Sequence, residues 1–292
     1  MSAMESIDTR SLASKAREIT QRELGVYMQR TAGSMKATER ARKVMPLGVP
    51  SSFQAYDPHP IVVKRAQAAW MEDVDGNRYV DFDLGFGALF AGHCNPAVRS
   101  AIEAQLDDGT LFVTPCELNS DVAEMLAARY KLPMWRFTNS GTEATMDAIR
   151  VARGVTGRDK IVKVEGGYHG HHDSVEVSVL PEEDEVGPAD NPARTPGNTG
   201  IPEAIRDLTL VVSFNDVAMV RRVLEANPGR VAGMIIEPVM MNAGIILPRE
   251  GYLAELKEVL HAHDALFAFD EVKTGFTAGP GGVTAIYGVT PD

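Results

Sequence analysis

The chain is poor in cysteine, in long apolar runs and in positive charge, and each shortage narrows what it can be. Two cysteines, Cys94 and Cys116, stand among 292 residues. That is no disulfide framework, and it fits two reduced thiols in a cytosolic protein. No apolar run approaches the roughly 20 residues needed to span a bilayer. Residues 1–22 are polar and charged, without the apolar core of a signal peptide. The cytoplasm is therefore the expected location. Lysine and arginine number 29 against 40 aspartate and glutamate, a net charge of −11. That balance speaks against nucleic acid or an anionic membrane as a partner. It leaves small anions open, because backbone dipoles bind phosphate locally. What remains is ordinary globular composition, 44% hydrophobic and 24% charged, enough for one large domain or two smaller ones.

Three stretches follow one another. Residues 11–45 read as helix with a thin apolar stripe (Leu24, Met28, Met35, Val44), so the arm is expected to pack on something else, such as another subunit. A Pro/Gly-rich loop, Met45 to Ser52, follows. Residues 61–82 read as antiparallel β, with Asp75-Gly76-Asn77 as a hairpin turn. From Pro96 onward helices (96–107, 118–130, 142–153, 216–226, 250–263) alternate with short apolar strands (135–138, 160–165, 208–213, 233–237, 265–270). That alternation implies an α/β fold, a mainly parallel sheet with helices on both faces. The expected divisions are an arm and loop over 1–60, a small antiparallel β segment over 61–95, and a large domain over 96–292. Residues 181–202 read as a loop over the site or at an interface.

Four segments carry candidate chemistry. In Phe137 to Ala144 a strand runs through Ser140-Gly141-Thr142 into a helix. Unpaired N–H groups at a helix start suit phosphate, and two hydroxyls add donors. The same residues also make a plain N-cap. At the next strand end, Gly167-Tyr168-His169-Gly170-His171-His172-Asp173 offers Tyr168 for stacking on a planar ring. The rival reading is metal binding by His-x-His-His-Asp, but no remaining ligand set follows, and no metal is expected. Ala265 to Val272 ends in Asp270-Glu271. A buried carboxylate there needs a cation or donors, and a protonated pyridine nitrogen would serve; a strand-end salt bridge or cap would serve equally. Ile235 to Gly244 runs from a strand into a loop bearing Glu237 and Asn242.

As an ordered set these segments resemble the class III aminotransferases of fold-type I, and within them the glutamate-1-semialdehyde aminomutase branch. Ser140 to Met146, Ala148-Ile149-Arg150 and Thr156 to Ile161 carry the closer likeness, and the resemblance covers about residues 40–292. It implies pyridoxal 5'-phosphate as cofactor, a small-molecule amino donor and acceptor, and a homodimer. It implies that Ser140, Gly141 and Thr142 hold the phosphate, Tyr168 stacks on the ring, Asp270 pairs with the ring nitrogen, Asn242 sits near the ring hydroxyl and Glu237 supports the site from behind. Two departures matter. Around Ser51, Gln54 stands where the aminomutase branch has a carboxylate-binding arginine, which disfavours glutamate semialdehyde as substrate. The family's Schiff-base lysine would follow Thr290-Pro291-Asp292. Lys273, expected on the strand of Asp270, is no substitute. The reading therefore expects a chain cut before the catalytic lysine, the last strands and the C-terminal domain. It keeps two alternatives: the aminomutase proper, or a non-catalytic fragment that binds only cofactor or a partner subunit.

Overall fold

A computed structural model describes residues 9–292. The first part of the segment read as lacking a signal core, residues 1–8, lies outside the described residues. The chain divides into two compact units, Met1–Leu111 and Phe112–Asp292.

The first unit contains helices α1 (Thr9–Arg30) and α2 (Ala32–Ala41), strands β1 (Val63–Gln67), β2 (Trp70–Asp73) and β3 (Arg78–Val80), and helix α3 (Pro96–Asp108). The expected hairpin is present: β1-β2-β3 is an antiparallel meander in which Met71 faces Tyr79. The single helix expected over 11–45 is not. Thr31 leaves the helical region (φ −123°, ψ 32°), and its hydroxyl donates to Tyr27 O at 2.6 Å while meeting His59 Nε2 at 2.9 Å. The restart is then capped from a distance. Asp75, in the hairpin turn, accepts from Ser34 N at 2.9 Å, from Ser34 Oγ at 2.8 Å and from Gly33 N. A carboxylate on the first N–H groups of a helix satisfies orphan donors and opposes the helix dipole.

The second unit contains α4 (Glu117–Tyr130), α5 (Gly141–Thr156), β4 (Lys160–Val164), α6 (Glu203–Arg206), β5 (Thr209–Val212), α7 (Val217–Glu225), β6 (Val231–Ile236), α8 (Tyr252–His261), β7 (Leu266–Phe269), α9 (Thr274–Thr277) and α10 (Gly282–Tyr287). The four strands are parallel in the order β5-β4-β6-β7. Side chains alternate between the two faces, as the pleat requires. Val162, Val164, Met234 and Ile236 pack with Val220 and Leu224 of α7 and Leu256 and Leu260 of α8. Ile161 and Ile235 point the other way, onto Ile149 of α5 and Val175. Each such side chain contributes about 1.5–3 kcal/mol relative to exposure, so the sheet is clamped between helices and its carboxyl ends are held in place.

The strand expected over Trp135–Thr138 does not form; that stretch has no ladder partner. A strand without a neighbour leaves its own N–H and C=O groups unpaired, so β-propensity alone cannot hold it. On the outer edge of β7 it is Asp292 that pairs: its N–H donates to Phe267 O at 2.9 Å, and its Oδ2 accepts from Phe267 N at 2.8 Å. The segment 181–202 is largely irregular, as expected, and is tied down where Val177 bridges to Pro196.

Candidate active site

Three chain segments meet at the carboxyl ends of the second unit's strands, and two glycines show how closely. A Cβ on Gly170 would lie 2.7 Å from Thr142 Cα, and the residue sits at φ +98°, where L side chains are strained. A Cβ on Gly141 would lie 2.9 Å from Val272 Cγ2. The start of α5, the loop after β4 and the turn after β7 are thus in direct contact.

At the start of α5, Ser140 Oγ accepts from Glu143 N at 3.2 Å, and Glu143 Oε2 accepts from Asn139 N at 2.6 Å. This is an N-cap by Ser140, with Glu143 reaching back past the cap to the preceding residue. It accounts for Glu143 N, while helix geometry leaves the N–H groups of Gly141 and Thr142 without intrahelical acceptors. The capping and phosphate readings of these residues are therefore compatible.

Asp270 is buried, 9% exposed. Its Oδ1 accepts from Val272 N at 3.0 Å and its Oδ2 pairs with His169 Nδ1 at 2.8 Å. A carboxylate can only accept, so Nδ1 carries the hydrogen. His169 is itself 1% exposed, its carbonyl accepts from Thr145 Oγ1 at 2.5 Å, and its Nε2 is buried with no partner among the described residues. Sequence reading weighed His169 only within the metal motif and gave it no part beside Asp270, since that partner lies 101 positions away. Burial beside a strand-end carboxylate was not a signal the local motif carried.

Glu237, 5% exposed, ties the next two loops together. Its Oε1 accepts from Tyr168 N at 2.9 Å. Its Oε2 accepts from Met241 N at 3.0 Å, Asn242 N at 3.3 Å and Asn242 Nδ2 at 3.0 Å. Tyr168 is half-buried; burial raises its hydroxyl above the ordinary phenol range, and Glu176 and Asp270 add to the shift. The Asn242 amide has both ends engaged, because its Oδ1 accepts from Lys273 Nζ at 2.6 Å. Lys273 is not on the strand of Asp270 as expected. β7 ends at Phe269, and the chain turns through Val272 and Lys273 into the short α9. Thr274 Oγ1 and Val283 N both reach Glu271 Oε2, holding that turn off the sheet.

The histidines of the suspected metal motif diverge. His169 faces Asp270, His171 Nδ1 meets Thr142 Oγ1 at 3.3 Å and His172 Nε2 meets Thr145 Oγ1 at 3.3 Å. Among the described residues no group of three or more His, Cys, Asp or Glu could hold a metal ion. Ser51 and Gln54 lie in the first unit, exposed, at either end of a short 3-10 turn in which Gln54 N donates to Ser51 O at 2.9 Å.

His172 has a measurable consequence. Burial, reinforced by His169, pushes its imidazole from 6.5 down to about 4. The unfolded chain takes up this proton near pH 6.5 and the folded chain only near pH 4. In between the unfolded state binds more protons, so stability falls as pH falls through that window. His172→Gln should flatten the fall of Tm between pH 6.5 and 4.5. An unchanged slope would show that His172 is not responsible.

The residues fit pyridoxal phosphate: a helix start with spare N–H donors, an aromatic ring held by its backbone, and a buried carboxylate with lone pairs left for a further donor. The aminotransferase class-III family matches residues 52–292. The chain is 45% identical over 261 residues to a glutamate-1-semialdehyde 2,1-aminomutase of Ignicoccus hospitalis, covering 89% of this chain and 60% of that protein. The corresponding protein of Archaeoglobus fulgidus is 43% identical over 260 residues, with coverages of 89% and 60%. Among solved structures, a glutamate-1-semialdehyde aminomutase of Pseudomonas aeruginosa superposes with a TM-score of 0.86 at 33% identity, over 96% of this chain and 60% of that one. An omega-transaminase of Sphaerobacter thermophilus gives 0.83 at 36% identity, over 89% and 59%. The chain thus spans about 60% of the length of these aminomutase relatives. The parallel sheet with helices on both faces is the fold-type I architecture of these neighbours. On the family match, which takes in residues 52–292, the chain belongs to the class III aminotransferases.

Proposed function

We propose that the protein carrying this chain is a pyridoxal-phosphate-dependent aminotransferase, acting in the cytoplasm as a homodimer on a small amino donor and a carbonyl acceptor. The observation that carries the reading is the meeting of Ser140-Gly141-Thr142, Tyr168-His169-Gly170 and Asp270 at one sheet edge. The N–H groups and hydroxyls at the start of α5 would hold the phosphate. Tyr168 would cover one face of the ring. Asp270, oriented by His169 and Val272 N, would hold a proton on the ring nitrogen. When bound, the cofactor supplies an electron-withdrawing ring that stabilises negative charge at the substrate carbon. Titrating the purified full-length gene product with pyridoxal phosphate tests this: saturable binding with a new visible absorption band is expected, and no binding would overturn it.

The names of the relatives favour a second reading, a glutamate-1-semialdehyde aminomutase. Gln54 counts against it, because a glutamine cannot form a bidentate ion pair with a carboxylate. A lost pair of this kind costs about 2 kcal/mol or more, roughly thirtyfold in kcat/KM. The protein should therefore turn over glutamate-1-semialdehyde poorly and regain activity in Gln54→Arg. Efficient conversion to 5-aminolevulinate by the unaltered protein would decide for the aminomutase.

A further inference from the structure

The turn after β7 touches two different segments of the site with consecutive residues. Val272 packs against Gly141 at the start of α5. Lys273 reaches the loop after β6, where its Nζ donates to Asn242 Oδ1 at 2.6 Å. The backbone under Lys273 is fixed from behind. Glu271 Oε2 accepts from Thr274 Oγ1 at 3.1 Å and from Val283 N at 2.7 Å, and Thr277 Oγ1 donates to Lys273 O at 2.5 Å. The ammonium is therefore presented by a rigid turn.

Asn242 is thus held at both ends of its carboxamide. Its Nδ2 and its backbone N–H donate to Glu237 Oε2 at 3.0 and 3.3 Å, opposite the end that Lys273 holds. Glu237 also holds Tyr168 N, and it lies beside Asp270, whose N–H donates to Ile236 O at 2.8 Å. A planar amide tethered only at Nδ2 can swing about that bond, whereas a second tether at Oδ1 fixes its plane. A hydrogen bond from an ammonium is charge-assisted, and so stronger than a neutral one. Nδ2 carries two hydrogens. Glu237 takes one, and the direction of the other follows from the plane.

We propose that Lys273 is a positioning residue: it fixes the plane of the Asn242 carboxamide and so aims the second Nδ2 hydrogen as a donor to an oxygen of the ligand bound beside Tyr168 and Asp270. That the ligand oxygen is the ring hydroxyl rests on the cofactor reading above; the fixing of the amide does not.

Side-chain 15N relaxation on the full-length protein, without added cofactor, tests it. The order parameter of Asn242 Nδ2 should lie near that of rigid backbone, about 0.85, in the unaltered protein and fall below about 0.6 in Lys273→Met. Lys273→Gln, which keeps a neutral donor, should restore part of it. The Tyr168 and Met241 amides, held by Glu237, should keep their values. An unchanged Asn242 value in Lys273→Met, or a loss shared by Tyr168 and Met241, would overturn the proposal. Should Lys273→Met not fold, 15N-labelled lysine decides: the Lys273 ammonium must exchange with water more slowly than exposed lysines and speed up in Asn242→Ala, and no acceleration refutes it. With the cofactor, Lys273→Met should bind pyridoxal phosphate roughly two- to tenfold more weakly, the scale of one net hydrogen bond. Equal affinity would overturn the part played toward the ligand. A protein that never binds pyridoxal phosphate would sink the functional reading and leave the order parameters to decide on the amide.

Discussion

Asp270→Asn should lower amino transfer by about 10²–10³-fold, the usual scale for removing one preorganised electrostatic partner, while pyridoxal phosphate still binds. Two local effects combine. The neutral amide no longer favours a proton on the ring nitrogen, which weakens the electron-withdrawing character of the ring. It also conflicts with its neighbours. Val272 N and His169 Nδ1 both donate to the carboxylate, and an amide offers an acceptor on one side only. If the oxygen stays on Val272 N, His169 must accept at Nδ1 and carry its hydrogen on Nε2. That nitrogen is buried without a partner. The mutant should therefore show a changed His169 tautomer in 15N spectra, as well as slow single-turnover transfer. Undiminished transfer would refute the role given to Asp270. Lost cofactor binding would assign it to holding the ring rather than to the chemistry.

Glu237→Ala should be the most destabilising single change at the site. It leaves Tyr168 N, Met241 N, Asn242 N and Asn242 Nδ2 without their shared acceptor, the carboxylate of a residue 5% exposed. Breaking a buried charged network by deleting one member typically costs about 3–5 kcal/mol. The loss should be visible as a lower urea midpoint. The two loops should also separate, with Tyr168 and Asn242 moving independently. Glu237→Gln should recover part of the stability, since its carbonyl oxygen can still accept from two of the four. A Glu237→Ala protein as stable as the parent would mean that water replaces the carboxylate.

The strands β4 and β6 were readable because a short apolar run between two helices is a local signal. Residues such as Ile161, Val162 and Val164 show it in any window of the sequence. The hairpin around Asp75-Gly76-Asn77 was readable for the same reason. Most of the misses depended on a partner far along the chain. The helix break at Thr31 is made by His59 and Asp75, residues that no helical periodicity could indicate. Trp135–Thr138 has strand-like residues, but a strand exists only beside another, and the edge of β7 is taken by Asp292. Lys273 was assigned to the strand by proximity to Asp270, yet the contacts of Glu271 with Thr274 and Val283 turn the chain away before it. At the site, the residue types were legible as a family pattern. Their mutual orientation was not, because His169 with Asp270 and Lys273 with Asn242 are pairs made by folding.

The contacts at Gly141 and Gly170 also bear on how such a site can change over generations. Every other amino acid carries a Cβ, so no replacement at either position is a small step. A methyl group at Gly170 would already meet the backbone of Thr142, and one at Gly141 would meet the side chain of Val272. The second position has an escape, since a smaller residue at 272 could come first and make room. The first has none, because a main-chain atom cannot be trimmed. Position 170 is therefore closed to drift in every direction, while 141 and 272 are free to exchange bulk as a pair.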